Sequence, residues 1–396
     1  MKLMTVEAAR AAMLAEVPPL PAETVPLARA IGRILAEDVE ALRDQPPFAT
    51  SAMDGWALRS ADAPGALRIV GESAAGHGFD PVLQPGEAVR IFTGAALPAG
   101  ADTIVIQEDA AREGDSVTVP AAKPGAYIRP QGGDFRAEQV LLTRGLRIDP
   151  WRLALAAAAG REMLLVHDRP RVALVSTGEE IVEPPADPGR FQIYDSGTPG
   201  LAAMLEGWGA NVIRAKPVRD QLEAVIEALR GADADLIVTV GGASVGDHDL
   251  VRAAGEALGL SMKVSSVAVR PGKPTFFGVL ADGRRMLGLP GNPASAFVCA
   301  ELFLKPLIDA FSGAPAEPRL VSARLAAALP ANGPREHWMR ARLESREGMV
   351  FAAPFSDQDS SLVSVFATAD ALVRRPAGAP TAHAGDLVEI LPLARG

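Results

Sequence analysis

Residues 235–259 read DLIVTVGGASVGDHDLVRAAGEALG. The opening DLIVTV is an apolar run of strand length, GGASVGDHD is glycine-rich and acidic, and the remainder returns apolar residues at helical spacing. A buried strand that runs straight into a glycine loop and then a helix is the repeating unit of a parallel α/β sheet. The alternation continues outward. Before it come a strand RVALVS from Arg171, a helix PGLAAMLEGW from Pro199, a strand NVIRA from Asn211 and a helix DQLEAVIEALR from Asp220, with Asp220 placed to cap it. After it, SMKVSSVAV, TFFGVL and RMLGL read as strands, and ASAFVCAELFLKPLIDAF from Ala294 as one long apolar helix. A single α/β domain is therefore expected over 169–314, its sheet parallel and covered on both faces.

The flanks read differently. Thr5 can cap a helix carrying Val6, Ala9, Met13, Leu14 and Val17 until Pro18 and Pro19 stop it. From about Val39 to Leu146 the pattern is short β-prone pieces (LRIV, AVRIF, DTIVIQ, SVTV) between Gly and Pro. Asp149, Pro150 and Gly160 supply an N-cap, a first-turn proline and a terminating glycine for the helix WRLALAAAA. Beyond Pro315, short strands such as HWMRARLES, GMVFAAP, ALVRR and DLVEILPL among Pro and Gly suggest a small antiparallel barrel.

The chain has 396 residues, more than a single core accommodates, so several domains are expected. Lys+Arg 39 against Asp+Glu 48 leaves a formal charge of −9, which would repel a polyphosphate backbone and excludes nucleic acid as the expected partner. Cys299 is the only cysteine, so neither an intramolecular disulfide nor a thiolate zinc cluster can form, and a reducing cytoplasm fits. MKLMTVEAAR carries no secretory signal, and LALAAAA from Leu153 is too short to span a bilayer, so no membrane association is expected. The five histidines form no HExxH and no GxGxxG opens a strand–helix unit, which argues against a histidine zinc site and a dinucleotide cofactor.

In an open sheet of this kind ligands bind beyond the carboxyl ends of the strands. There the 241–249 loop offers Gly241, Gly242 and Gly246 for close backbone approach, the Ser244 hydroxyl, and the carboxylates of Asp247 and Asp249. Exposed N–H groups suit an oxyanion and the aspartates a hard cation, although a plain turn with Asp249 capping the next helix reads equally well. Pro290, Gly291, Asn292 and Pro293 form either a rigid anion-facing turn or simply a stiff one. Arg270 and Lys273, held between Pro271, Gly272 and Pro274, form an anion clamp or a solvated pair. Thr177, Gly178, Glu179 and Glu180 follow the first strand. Acids beside a basic clamp describe a metal-assisted phosphate site. In the β-rich stretch Asp54 of SAMDG projects from a tight loop or closes an Asx-turn, and Thr93 with Gly94 shares that ambiguity. Cys299 reads as packed core.

Taken in order, SAMDG, FTGAALPAGADTIVIQED, STGEE, TVGGASVGDHD, RPGKP and LPGNPASA resemble the molybdopterin molybdenumtransferase family, which includes the gephyrin E domain, over essentially the whole chain. The resemblance implies a multidomain α/β and β fold: an elongated domain in two segments (1–46 and 129–168), an inserted β-rich domain (47–128), a central α/β domain like that of molybdopterin adenylyltransferases (169–314) and a C-terminal small β-barrel (315–396). It implies insertion of molybdate into adenylylated molybdopterin with release of AMP, the last step of molybdenum cofactor biosynthesis. Carried over by motif, Asp54, Glu180, Asp220 and Asp249 are the functional acids, and Mg²⁺ is held by Asp220 and Asp249. Thr93, Thr177, Gly241, Gly242, Ser244, Gly246, Arg270, Lys273, Pro290, Gly291, Asn292, Arg340 and Ser360 bind substrate. Arg270 departs from the lysine common in the family, and Trp56 from a frequent tyrosine. The family further implies a homodimer, with the cleft formed between the inserted domain of one chain and the α/β and C-terminal domains of its partner, and transient contact with the adenylyltransferase and with molybdoenzyme delivery proteins. Two other functions fit parts of the sequence: an adenylyltransferase, from the α/β domain alone, and a non-catalytic gephyrin-like scaffold.

Overall fold

The computed structural model describes residues 3–242 and 250–393. The chain folds into two compact units. One comprises Met1–Glu23, Gly32–Ala36 and Leu165–Gly396, the other Thr24–Ile31 and Glu37–Leu164.

In the first unit α1 (Val6–Leu14) begins where expected: Thr5 accepts the Ala8 N–H, and Val6, Ala9 and Met13 are buried on one stripe.

The second unit is built on a six-stranded sheet. Its strands are β1 (Gly55–Leu58), β2 (Gly65–Ser73), β3 (Glu87–Ile91), β4 (Thr103–Ile106), β5 (Ala111–Glu113) and β6 (Ser116–Val119), in the order β4-β1-β3-β2-β6-β5. Trp56, Leu58, Leu67, Ala88, Val105 and Val117 close one face of it. Its helix α2 (Pro150–Ala158) has the expected punctuation, with the Asp149 carboxylate accepting the Arg152 N–H and Gly160 at φ +86°.

The central sheet of the first unit contains β7 (Arg171–Ser176), β8 (Asn211–Arg214), β9 (Leu236–Val240), β10 (Ser261–Val264), β12 (Phe276–Val279) and β13 (Arg285–Leu289). Their order is β8-β7-β9-β13-β12-β10. The first four are parallel, but β12 and β10 join antiparallel, which corrects the expectation of a purely parallel sheet. Side-chain alternation splits the core. Val172, Leu174, Leu236, Val238, Leu287 and Leu289 pack with α1, α3 (Gly197–Gly207), α6 (Pro293–Cys299) and α7 (Lys305–Phe311). Val175, Ile237 and Met286 pack on the other face with α4 (Leu222–Gly231) and α5 (Leu250–Ala257).

Two expected elements are broken. The long terminal helix opens into a π-turn over Ala300–Leu304 before Pro306, which has no N–H to donate and sits in the first turn of α7. The run SMKVSSVAV divides as well: Ser266 and Ala268 bond the Met4 backbone, and β11 (Val269–Arg270) leaves the sheet to pair with a C-terminal strand.

That C-terminal part is a closed five-strand barrel of β14 (Val321–Leu325), β15 (Glu336–Arg346), β16 (Met349–Pro354), β17 (Ala371–Arg375) and β18 (Leu387–Pro392). The ring runs β15-β16-β14-β18-β17 and back to β15. The β14–β16 pairing is parallel, so the barrel is not wholly antiparallel as expected. Ala323, Ala341, Ala352 and Ala371 sit in its interior, where small side chains let so small a barrel close. Among the described residues no helix is long and apolar enough to cross a membrane.

A candidate anion cleft at the carboxyl edge of the sheet

The carboxyl ends of β7, β9 and β13 and one side of the barrel line a cleft of about 1620 Å³. It brings together Thr177, Glu180, Asp220, Gly241, Gly242, Arg270, Lys273, Pro290, Gly291, Asn292 and Ser360, drawn from separated segments of the sequence. Ser244, Gly246, Asp247 and Asp249 lie outside the described residues. Asp54 and Thr93 belong to the other compact unit.

Local contacts explain how each segment is held. The Thr177 N–H donates to the Val240 carbonyl (3.1 Å) and Val218 donates to Ser176 (2.9 Å), which draws the 215–220 segment alongside β7. Gly241 and Gly242 both adopt positive φ (91° and 62°), and a Cβ on Gly241 would lie 2.6 Å from the Thr177 carbonyl. Only glycine lets the two loops meet there. The Glu180 carboxylate folds back over Gly178, 2.7–2.9 Å from where a Cβ would stand. Asp220 does not cap α4, contrary to expectation. The helix starts at Leu222 after Gln221, and the Asp220 carboxylate instead accepts the Glu179 N–H at 3.3 Å.

The basic clamp is fixed from below. Thr275 Oγ1 donates to the Gly272 carbonyl (2.8 Å), the Lys273 carbonyl accepts the Val267 N–H (3.0 Å), and Cys299 Sγ fills the space a side chain at Gly272 would need. The Arg270 and Lys273 side chains are exposed to the cleft. Burial pushes the Cys299 thiol up to about 12, so it is a packed neutral group, as expected. Also in the cleft lining, Asn292 Nδ2 donates to Ser360 Oγ (2.8 Å) and the Ala294 N–H to the Ser360 carbonyl (3.2 Å).

Arg340, a predicted substrate contact, is fully buried and does not line the cleft. β15 alternates: Arg335, just ahead of it, and His337 and Met339 face the cleft, whereas Trp338 lies in the core and Arg340 points away from the cleft. Arg340 braces the Ser360 loop through Nη2 to the Asp359 carbonyl (2.9 Å) and its main chain to Gln358.

Sequence reasoning missed Arg335 and His337, whose signal was their two-residue spacing where a strand begins, and Asp195 and Thr198, which sit in YDSGT at the start of α3. His337 is held neutral, lowered to about 4, by burial first and then by Arg270, Arg340 and Arg335. Its folded value lies below its unfolded one, so it contributes stability above about pH 6.5 that is lost as pH falls towards 4. The melting temperature should therefore drop less between pH 7 and pH 4.5 in His337→Gln than in the wild type. Equal drops would remove His337 as a source of acid sensitivity.

The second unit has a locus of its own. Asp54 precedes β1 and Thr93 follows β3, and antiparallel pairing of Gly55 with Ile91 brings the two loops to the same end. Asp54 Oδ1 accepts both the Thr93 N–H (2.7 Å) and its hydroxyl (2.8 Å), a tie between loops in place of an Asx-turn. The Thr93 N–H and hydroxyl, together with Arg90, lower the Asp54 carboxyl below the usual range. The Arg90 guanidinium itself lies over the Trp56 and Phe92 rings, 5.2 and 4.9 Å from their centroids.

Fold and site together define a small-molecule-binding α/β protein whose cleft faces carboxylates with a basic clamp. Over 94% of its length the chain is 36% identical to the molybdopterin molybdenumtransferase of Nostoc sp., of which it covers 88%, and over 99% it is 36% identical to that of Synechococcus elongatus, of which it covers 100%. The chain belongs to the molybdopterin molybdenumtransferase family. Residues 4–160 match the MoeA N-terminal region (domain I and II), 173–310 a probable molybdopterin binding domain and 322–393 the MoeA C-terminal region (domain IV). Two crystal structures of the molybdopterin biosynthesis moeA protein from Pyrococcus horikoshii superpose with TM-scores of 0.85 and 0.86 at 30% and 26% identity. They cover 100% and 99% of this chain, and 100% of each of those chains is covered.

Proposed function

We propose that this chain inserts molybdate into adenylylated molybdopterin and releases AMP, the last step of molybdenum cofactor biosynthesis. The observation that carries the reading is the cleft itself: Arg270 and Lys273 project from one rigid segment while Glu180 and Asp220 face the same space from the ends of the sheet loops. Lys273 and Arg270 take the phosphate charge as charge-assisted donors. The loop from Gly241 and Gly242 through Ser244 and Gly246 offers main-chain N–H groups to the ligand, and Thr177 its hydroxyl. The Pro290–Gly291–Asn292 turn and Ser360, braced by Arg340, form another part of the wall. Glu180 orients the ligand or its water, and in the homodimer Asp54 with Thr93 supplies a further carboxylate from the inserted domain of one chain to the cleft of its partner.

Among the described residues no group of three or more His, Cys, Asp or Glu side chains is placed to hold a metal ion. Mg²⁺ asks for less, since one or two carboxylates plus water and substrate phosphate complete its shell. Asp220 together with Asp249 is the pair that would hold it. Bound there, the cation would neutralise charge on the phosphoanhydride.

The working unit is a cytoplasmic homodimer of four-part subunits (1–46 with 129–168, 47–128, 169–314, 315–396), which meets the adenylyltransferase and molybdoenzyme delivery proteins transiently. Sedimentation at twice the chain mass is the expected result, and a monomer at working concentration would rule the dimer out. Adenylyltransferase and scaffold functions are not favoured, because relatives aligned over nearly the full length are named molybdenumtransferases. Incubating the protein with ATP and molybdopterin without molybdate should consume no ATP. Consumption would overturn the assignment in favour of adenylyl transfer.

A further inference from the structure

Four side chains at the carboxyl edge of the sheet are buried and, among the described residues, have a polar atom with no hydrogen-bond partner: Ser176 Oγ, Thr177 Oγ1, Asp195 Oδ2 and Thr198 Oγ1. Asp195 is 9% exposed and the other three 3% or less, and all four line the cleft. A carboxylate oxygen withdrawn from water without a donor is costly, so its retention at this point calls for a partner. Folding does not supply the reason. Asp195 performs its structural duty through Oδ1, which accepts the Thr198 N–H at 2.9 Å in the first turn of α3.

Topology says where the partner comes from. The chain leaves β7 through α3 to β8 on one side, then returns through α4 to β9 on the other, so strand order reverses between β7 and β9. α3 lies in the core of one face and α4 and α5 in that of the other, which opens a crevice between the ends of β7 and β9. Such a switch point is where open α/β sheets bind ligands. Ser176 ends β7 and Thr177 follows it, Val240 ends β9, and Asp195 and Thr198 stand at the start of α3. Ile181, Ile193 and Tyr194 add apolar surface beside them. Among the described residues the cleft's cations lie elsewhere: Arg270 and Lys273 precede β12, and Arg335 belongs to the barrel side. An elongated ligand with one anionic end and one flat, N–H-rich end is therefore oriented, with its phosphates at the clamp and its ring in the crevice.

We propose that Asp195 binds the 2-amino-4-oxopyrimidine edge of the pterin ring, whose adjacent N–H groups donate to the carboxylate while the Ser176, Thr177 and Thr198 hydroxyls meet the ring's remaining polar atoms. This rests on the reading of the cleft as the molybdopterin site. Asp195→Asn isolates the claim, because the amide oxygen can still accept the Thr198 N–H while an NH₂ replaces Oδ2 and confronts the ring's donors. Anaerobic calorimetry with molybdopterin should show affinity about tenfold to a hundredfold weaker in the variant, with AMP affinity and melting temperature unchanged. A second comparison needs no variant: the wild type should prefer a simple pterin to lumazine, which has an oxo group in place of the 2-amino group. Molybdopterin affinity unaffected by the substitution overturns the assignment and leaves the function standing. So does weakened AMP binding with molybdopterin binding intact, which would move Asp195 to the ribose. A wild type that binds no molybdopterin overturns both.

Discussion

Asp220→Asn should lower molybdate-dependent AMP release by about a hundredfold or more, since even partners of a metal ligand cost about 10- to 100-fold when lost and a direct ligand should cost more. The melting temperature should barely move. A helix cap would be worth about 1 kcal/mol, but Asp220 is not one here: α4 begins at Leu222, and among the described residues the Asp220 carboxylate accepts the Glu179 N–H, which an amide oxygen can also do. The substitution thus removes a charge while keeping the tether. Raising Mg²⁺ should recover part of the rate. Full activity in the variant would take Asp220 out of the metal site, and a large fall in melting temperature would return it to a structural role.

The second large effect is expected at the clamp. Lys273→Ala should weaken binding of the adenylylated pterin by about 1.5–3 kcal/mol, the worth of a hydrogen bond to a charged group. The segment around it should stay in place, because the Gly272 and Lys273 carbonyls are held by Thr275 and Val267 and the lysine side chain is exposed. Removing one cation should also flatten the salt dependence of binding. Calorimetry at two ionic strengths checks both points. Unchanged affinity with unchanged salt dependence would show that the ammonium group does not meet the ligand.

The parts of this molecule legible from sequence are those governed by local rules. Thr5 and Asp149 cap their helices because a side-chain oxygen beside free N–H groups does so in any context. DLIVTV reads as a central strand because a sheet covered on both faces buries every residue of a strand, as it does Leu236–Val240. The cleft was legible as a set of loops, since strands of a parallel sheet must end on one edge. What depends on distant pairing was not. VAVR reads as the continuation of β10, yet its Val269 and Arg270 find Glu336 and His337, and that partnership places His337 among guanidinium groups. Arg340 and His337 are three residues apart on one strand and so point to opposite faces, a distinction that needs the strand's register. Asp220 and Asp195 show the same limit in reverse. The acid that looked like a cap is a loop tether, and the acid that was passed over holds the first turn of a helix.

The most direct test of the function is a single-turnover experiment in which purified protein loaded with adenylylated molybdopterin and Mg²⁺ is mixed with molybdate, and AMP and dithiolene-bound molybdenum are quantified together. Both should appear at the same rate and in equal amounts, and neither should exceed the blank without molybdate. AMP released at the same rate whether or not molybdate is present, or molybdenum bound without AMP release, would contradict this function.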